Sequence, residues 1–280
     1  MRHIHSNVIS NIIYKLCIDT NINLPNDLCC LINDSRGKET NALAKEILSD
    51  MLENIEAAQE LKIPVCQDTG MVVCFIEVGQ EVHIIGDSLE KAINKGVSKA
   101  YSKGVLRCST VSDPIKRVNT GDNTPAIIHT KITDGNKIKI TVAPKGFGSE
   151  NMSAIKMFNP SASIDDIADF VVNTAVLADG KPCPPTVIGV GIGGDFEYST
   201  YLAKKALCRS IQERNSNPFY AELEKIILNK INEKNIGPQG FGGDTSALSV
   251  NIETFPTHIA GLPVAVNIGC HVTRHKNITI

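Results

Sequence analysis

The hydrophobic periodicity of the chain changes near residue 62, and this change constrains the fold more than any other feature. Before it, apolar residues recur at helical spacing, and the stretch 40–61 is rich in Glu, Lys, Ala and Leu and is closed by Pro64. After it, short β-branched runs alternate with amphipathic helical stretches. The pattern predicts an α+β (mixed α/β) fold, with a mainly helical part over residues 1–61 followed by strands and hairpins packed with helices.

The second part of the chain predicts individual elements with defined ends. Ser88 is the expected N-cap of a helix, and Asp134-Gly135-Asn136 between two β-branched runs predicts a hairpin. Because no repeat or linker interrupts the pattern, we expect a single catalytic domain over residues 1–280. The predicted helices are 40–61, 88–101, 164–178, 197–213 and 218–233, and the predicted strands are 71–78, 82–85, 126–133, 137–143, 186–190, 247–252 and 263–268.

Composition removes several classes of function. The 28 basic and 30 acidic residues give a net charge of −2, which argues against a nucleic-acid-binding protein. No apolar run approaches the ~18 residues that a membrane span needs. Ser and Asn interrupt the first twenty residues, so the apolar segment of a secretion signal is missing there. We therefore expect a cytoplasmic protein without a nucleic-acid or membrane partner.

The chain has nine cysteines, and a reducing compartment makes a disulfide framework improbable. Cys66, Cys183 and Cys270 lie in loops rich in Gly and Pro, too far apart in the sequence to form a linear motif. Two interpretations stay open: small buried side chains, or three thiolates that converge on an iron–sulfur cluster and leave one iron open. The remaining cysteines fall in helical or strand patterns and are predicted to lie in the core: Cys17, Cys29, Cys30, Cys74, Cys108 and Cys208.

The run Gly189-Val190-Gly191-Ile192-Gly193-Gly194 satisfies GxGxxG between a predicted strand and a predicted helix. One interpretation is dinucleotide binding, which would make the protein a NAD-dependent oxidoreductase. The alternatives are close backbone packing or an anion at a helix N-terminus.

Several polar residues in or near the loops are candidates for chemistry. Asp68 is a candidate general base or a turn residue, and Arg107 is a carboxylate clamp or a surface residue. His258 lies in an apolar segment and is a core or a site histidine. His271 and His275 have the spacing of a zinc pair but lie close to the C-terminus, which we expect to be frayed.

Four blocks of the sequence carry a resemblance to a known family. They are PVCQDTG at 64–70, PKGFGSENMSAIK at 144–156, CPPTVIGVGIGG at 183–194 and PTHIAGLPVAVNIGCH at 256–271. Together they resemble the alpha subunit of class I, iron–sulfur-dependent fumarate hydratase and of the related L(+)-tartrate dehydratase. The similarity runs from about residue 40 to residue 275.

The resemblance implies a lyase with a 4Fe–4S cluster whose open iron takes part in the reversible hydration of fumarate to (S)-malate, a step of the tricarboxylic acid cycle. Phe147 stands in a loop where the family often has three successive glycines. The implied site residues are Cys66, Cys183 and Cys270 for the metal, Asp68 and His258 for catalysis, and Gln67, Arg107, Gly146 and Gly148 for the substrate.

The resemblance also implies a partner. Single-chain members of the family carry a further C-terminal domain that completes the site, and this chain does not include it. We therefore expect a separate beta subunit, in a hetero-oligomer or with a homodimer of alpha chains. The remaining alternatives are a hydro-lyase for L(+)-tartrate or mesaconate, a NAD-dependent oxidoreductase, and an iron–sulfur sensor without enzymatic activity.

Overall fold

Two mixed four-stranded sheets organise the chain in a computed structural model that describes residues 1–280. Each sheet belongs to a different compact unit. The first unit comprises Met1–Pro25, Asn54–Phe147 and Arg274–Ile280, and the second comprises Asn26–Glu53 and Gly148–Thr273. The predicted α+β class is confirmed, because both units combine helices with a mixed sheet. A single domain stays a prediction, since compactness does not measure whether the units unfold together.

The residues predicted to be mainly helical form three helices, and the remaining elements mix strands with helices. In chain order the elements are β1 (Arg2–His5), α1 (Ser6–Ile22), α2 (Asn26–Lys38), α3 (Ala42–Leu61), β2 (Met71–Gly79), β3 (Val82–Ile85), α4 (Leu89–Lys103), β4 (Ile127–Thr133), β5 (Ile138–Lys145), α5 (Phe147–Glu150), β6 (Ala154–Phe158), α6 (Ile164–Ala178), β7 (Thr186–Gly194), α7 (Phe196–Ala206), α8 (Pro218–Asn232), β8 (Ala247–Thr257), β9 (Leu262–Gly269) and β10 (Lys276–Thr279).

The sheet of the first unit has the order β10-β5-β2-β4. Strand β2 is its buried centre and runs parallel to β4 and antiparallel to β5. Helices α1 and α4 pack against each other and share a core with the sheet, formed by Ile13 and Ile93 from the helices and Ile76 and Ile140 from the strands. Ser88 caps α4 as predicted, because its hydroxyl accepts a hydrogen bond from the Lys91 N–H at 3.3 Å.

The predicted hairpin at residues 134–136 is wrong. Strands β4 and β5 do not pair with each other, because both pair with β2, from opposite sides. The turn instead wraps the end of β2, where the Gly79 N–H donates to the Lys137 carbonyl at 2.8 Å. A Cβ on Gly79 would lie 2.3 Å from the Gly135 carbonyl oxygen, so this approach needs glycine.

The sheet of the second unit has the order β6-β9-β7-β8, and helices cover both of its faces. Ile188, Val190 and Ile192 point to one face of β7 and share a core with α6 and α8. The alternate residues Gly189 and Gly191 face α7. Because both faces are covered, every residue of β7 after Thr186 is apolar or glycine.

Several predicted boundaries are wrong in ways that tertiary contacts explain. The predicted helix 197–213 ends at Ala206, and the predicted strand 186–190 continues to Gly194. The C-terminus is not frayed, because β10 pairs with β5. The sequence analysis did not predict β1, β6 or α2 as separate elements. Every helix is too short or too polar to cross a membrane.

Candidate functional site

In the first unit, the loop between α3 and β2 carries Cys66, Gln67 and Asp68. Hydrogen bonds hold its first half: the Val65 N–H donates to the Asn21 carbonyl at 2.9 Å. The loop closes at Gly70 with φ of +78°, where a Cβ would lie 2.7 Å from a backbone nitrogen of β5. The loop is therefore fixed at both ends, with the three candidate residues between them.

The Asp68 carboxylate joins this loop to the glycine loop that follows β5. Its Oδ1 accepts a hydrogen bond from the Gly70 N–H at 3.0 Å, and its Oδ2 accepts one from the Phe147 N–H at 2.9 Å. Gly146 lies against the same carboxylate, since a Cβ there would be 3.1 Å from Oδ2. Gly148 belongs to the second unit, where a Cβ on it would lie 3.7 Å from the Lys181 carbonyl oxygen.

Arg107 is brought to the same loop by its backbone. The Thr69 hydroxyl accepts from the Arg107 N–H at 2.9 Å and donates to the Arg107 carbonyl at 3.1 Å. The Arg107 residue itself is exposed, as is Gln67. The structure thus brings together four of the predicted residues in the first unit: Gln67, Asp68, Arg107 and Gly146.

Three buried polar side chains hold this loop, and the sequence analysis missed all of them. The Tyr101 hydroxyl donates to the Thr69 carbonyl at 2.7 Å, and burial raises the pKa of Tyr101 well above its usual value. The Asn123 side chain donates to the Gly70 carbonyl at 3.0 Å. Arg274 donates from Nη2 to the Asp68 main-chain carbonyl at 2.6 Å and is 4% exposed.

Sequence signals for these three residues are weak. Tyr101 is one apolar position of an amphipathic helix, and Asn123 looks like an ordinary turn residue. Arg274 follows Cys270 closely, which is the one linear hint of a role near a site.

In the second unit, the loops of Cys183 and Cys270 lie at the same edge of the sheet. Val187 near the start of β7 pairs with Gly269 at the end of β9, so the residues just outside both strands are neighbours. His271 connects them: its N–H and its Nδ1 lie 3.3 Å and 2.9 Å from the Cys183 carbonyl oxygen. Cys183 is exposed and Cys270 is half-buried.

The thiols elsewhere have a different environment. Burial raises the pKa of Cys17 well above its usual value and raises those of Cys74 and Cys208 to about 12. Burial also raises the pKa values of Cys29 and Cys108. The predicted core position is confirmed for Cys17 and Cys74 and is wrong for the exposed Cys30. Cys29, Cys108 and Cys208 are half-buried, and Cys108 packs against the core of the first unit.

A metal cluster needs thiolates, and burial opposes the thiolate form of Cys17, Cys74 and Cys208. The loop residues Cys66, Cys183 and Cys270 are exposed or half-buried, so their chemistry fits the donors of a cluster. Cys66 belongs to the first unit and the other two to the second. The structure contains no group of three or more His, Cys, Asp or Glu side chains close enough together to hold a metal ion. The shared ligation therefore stays a prediction.

His258 lies away from the cysteine loops of its own unit. It is exposed in the turn between β8 and β9, at the opposite edge of the sheet from Cys183 and Cys270. The eight residues of β9 separate the two edges by about 25 Å. His258 instead lines a groove of about 520 Å³ together with Tyr198 and Phe255.

The glycines at 189–194 do not form a nucleotide-binding turn, so the dinucleotide interpretation is wrong. All of them lie inside β7, whereas a dinucleotide motif places its glycines in the turn after the strand. A Cβ on Gly189 would lie 2.1 Å from the Ala203 carbonyl oxygen, and one on Gly191 would lie 2.0 Å from that of Ser199. They allow α7 to approach the sheet, which confirms the packing alternative.

A polar network supports the strand that leads to Cys270. The Asn267 side chain donates to Glu150 Oε2 at 2.8 Å and to the Ser153 hydroxyl at 2.9 Å. Lys204 forms an ion pair with Glu150. The zinc interpretation of His271 and His275 finds no support, since His271 contacts the Cys183 carbonyl and neither belongs to a metal-holding group.

This is an α+β protein whose candidate functional groups lie on loops at sheet edges. The family model for fumarate hydratase (Fumerase) matches residues 10–279. A Methanocaldococcus jannaschii protein, provisionally named L(+)-tartrate dehydratase subunit alpha, is 41% identical over 95% of this chain and 95% of its own length. Proteins named L(+)-tartrate dehydratase subunit alpha from Escherichia coli K12 and Shigella sonnei Ss046 are 31% identical, over 98% of this chain and 91% of theirs. The chain belongs to the fumarate hydratase family, a family of hydro-lyases.

Proposed function

We propose that this chain is the iron–sulfur-bearing alpha subunit of a hydro-lyase that interconverts fumarate and (S)-malate. The observation that carries the proposal is the pairing of the Cys183 and Cys270 loops at one sheet edge, in a chain that matches the fumarate hydratase family over residues 10–279. Cys66 is the third proposed ligand of the 4Fe–4S cluster.

When bound, a cluster held by three cysteines supplies an iron that accepts and polarises a substrate oxygen. The residues of the chain bind and orient the rest of the substrate. The planar guanidinium of Arg107 is suited to a substrate carboxylate. Gln67 provides an amide beside it, and the loop of Gly146 and Gly148 lines the substrate. These assignments follow the resemblance and fit the exposure of Gln67 and Arg107.

Asp68 is the proposed base. Hydration adds a hydroxyl group to one alkene carbon and a proton to the other, and in the reverse direction Asp68 takes that proton. The N–H groups of Gly70 and Phe147 each occupy one lone pair of its carboxylate and fix its orientation. Each carboxylate oxygen has a second lone pair, so a proton can still be accepted there.

His258 and the partner subunit complete the proposal. About 25 Å of β9 lies between His258 and the cysteine loops of its own unit, so a catalytic role requires that a second chain supply this histidine. A homodimer of alpha chains would do so. The relatives are named subunit alpha, which supports a separate beta subunit that contributes further groups.

The first experiment is anaerobic purification of the chain with its beta subunit, followed by measurement of iron, sulfide and the fumarate-to-malate rate on one sample. The decisive variant is Asp68→Asn, which should keep the visible spectrum of the cluster and lower kcat by about 100-fold or more. Asp134→Asn is the matched control, because Asp134 is exposed in the turn between β4 and β5. Turnover by Asp68→Asn at the wild-type rate would remove the base assignment, and absence of iron after reconstitution would remove the cluster.

A second candidate function is the dehydration of L(+)-tartrate, and the names of the relatives at 41% and 31% identity favour it. Tartrate, mesaconate and fumarate should be compared by kcat/KM on the same sample. A higher kcat/KM for tartrate would change the substrate and leave the proposed roles of the cysteines and Asp68 intact.

A further inference from the structure

Cys183 and Gln239 share an unusual backbone conformation. Each is a non-glycine residue with φ of +55°, in the left-handed region that side chains disfavour. Such residues persist where their surroundings fix them. The two are in contact through Pro184, because the Gln239 N–H donates to the Pro184 carbonyl at 2.8 Å and the Gln239 Nε2 lies 3.3 Å from the same oxygen.

His271 fixes the neighbouring carbonyl. Both its N–H and its Nδ1 lie within hydrogen-bond distance of the Cys183 carbonyl oxygen. A carbonyl oxygen only accepts, so Nδ1 is the ring nitrogen that carries the proton. The Gln239 Nε2 is 3.4 Å from that Nδ1 and is itself a donor, so its hydrogen bond goes to Pro184.

The turns of Cys183 and Gln239 also pack backbone against backbone. A Cβ on Gly240 would lie 2.7 Å from the Gly180 Cα, and the Cys183 N–H donates to the Gly180 carbonyl at 3.0 Å. The Cys183 carbonyl thus accepts hydrogen bonds from His271, and the Pro184 carbonyl accepts them from Gln239. His271 and Gln239 lie on two other loops. A change of the Cys183 φ to a negative value would turn both carbonyls away from these donors, so the hydrogen bonds oppose it.

We propose that His271 and Gln239 are positioning residues that hold Cys183 in its ligand conformation beside Cys270 before any cluster binds. The proposal rests on the proposed function, because it takes Cys183 and Cys270 as cluster ligands. A ligand that is already held loses little conformational freedom when the cluster assembles, which favours assembly and slows loss. Neither residue is assigned a contact with substrate, so their effect acts through Cys183.

The first test uses amide hydrogen exchange of the full chain without a cluster, kept anaerobic. His271→Ala should speed exchange in the peptides that contain residues 180–183 and 271. His271→Asn should restore slow exchange, because an Asn amide places a donor near the position of Nδ1. His83→Ala is the matched control, since His83 is exposed on β3 in the first unit.

The second test uses the complex with the beta subunit after cluster assembly. Iron release to a chelator, followed by loss of visible absorption, should be about 10-fold faster in His271→Ala, as for other residues that orient metal ligands. His271→Asn should release iron near the wild-type rate. Gln239→Gly should release iron faster than wild type, because it loses the side-chain hydrogen bond to the Pro184 carbonyl. Glycine still allows the positive φ and the main-chain hydrogen bond, so the variant tests the side chain alone.

The outcomes separate this inference from the proposed function. Unchanged exchange and unchanged iron release in both His271→Ala and Gln239→Gly would overturn the inference, even with a fully active wild type. A wild type that takes up no cluster would overturn the proposed function and with it the ligand role of Cys183. If His271→Ala does not fold, His271→Asn and Gln239→Gly still decide, because rescue by a donor is not expected of a residue that merely fills space.

Discussion

The two units hold their candidate functional groups by different means. In the first, the loop with Asp68 is fixed by buried polar side chains, namely Tyr101, Asn123 and Arg274. In the second, the turn of Cys183 packs backbone against backbone with that of Gln239, and His271 joins it to the Cys270 loop, while β7 beside them is rich in glycine. The comparison teaches that hydrogen bonds of buried side chains limit substitution around the Asp68 loop, whereas the space between strand and helix limits it along β7.

The largest expected effect is that of Gly191→Ala in the second unit. A Cβ there meets the Ser199 carbonyl oxygen at 2.0 Å, so α7 must move away from the sheet. We expect a loss of about 4 kcal/mol in the free energy of unfolding, in the range of the most damaging substitutions. Urea unfolding measures it, and hydrogen exchange shows whether the first unit is affected too. Gly37→Ala is the control, because nothing lies within 4 Å of its Cβ and alanine favours a helix. A loss as small as that of the control would break the comparison.

Next comes Asn123→Ala in the first unit. Asn123 is fully buried, accepts from the Ser109 and Thr110 N–H groups, and donates to the Gly70 carbonyl. Its removal leaves the Ser109 and Thr110 N–H groups without this acceptor, whereas the Gly70 carbonyl keeps the Tyr101 hydroxyl at 3.0 Å. We expect a loss of about 2 to 3 kcal/mol in the free energy of unfolding. Asn136→Ala, in an exposed turn, should unfold like the wild type. Equal urea midpoints for the two variants would show that polar anchors do not stabilise this unit.

A smaller effect is expected at a buried ion pair of the second unit, where hydrogen bonds rather than the space between backbones limit substitution. The Glu224 carboxylate is fully buried, pairs with Arg209 and accepts the Ile252 N–H at 2.8 Å. Glu224→Gln removes the charge but keeps an acceptor, so we expect a loss of about 2 kcal/mol in the free energy of unfolding. Glu222→Gln, which breaks an exposed pair with Lys225, should cost less than about 0.5 kcal/mol. Thermal unfolding of both variants tests the difference, and similar losses would make the buried pair unimportant.

The smallest effect concerns surface carboxyls, where the units should behave alike. Hydrogen bonds from the Lys116 and Ile115 N–H groups lower the pKa of Asp113, and those from the Ser163 hydroxyl and N–H lower the pKa of Asp166. A lowered folded-state pKa contributes stability that is present above the unfolded value of 3.8 and is lost as the pH falls through the folded value. Asp113→Asn and Asp166→Asn should therefore each weaken the pH dependence of the melting temperature between about pH 5 and pH 2. An unchanged slope in either variant would contradict this for its unit.

Local pattern predicted much of the fold. Helix α6 begins and ends where the apolar spacing places it, with a capping box of Ser163 and Asp166, and β2 differs from its prediction by one residue. The pairing of strands was not predictable from the sequence. The turn at 134–136 has the residues of a hairpin, yet the two strands that it connects, β4 and β5, lie on opposite sides of β2. Turn propensity is local, whereas the strand that lies between β4 and β5 comes from elsewhere in the chain.

The candidate site divides in the same way. Asp68, Arg107 and Gly146 were found in loop motifs, and the structure brings them to one loop. The buried residues that hold this loop were not found, because a buried polar group is recognised by its partners, which lie far away in the sequence. His258 differs from these residues: a motif identified it, and strand direction places it at the opposite end of the strands from Cys183 and Cys270, so its catalytic role stays a prediction.

The last strand of the first unit has a consequence for synthesis. β10 supplies an edge of the sheet by pairing with β5, yet residues 148–273, nearly the whole second unit, are translated between these strands. During translation the β5 edge therefore stays unpaired until the ribosome has released residues 276–279. For that time the nascent chain exposes a template for wrong strand pairing, and a chaperone that covers this edge would protect it.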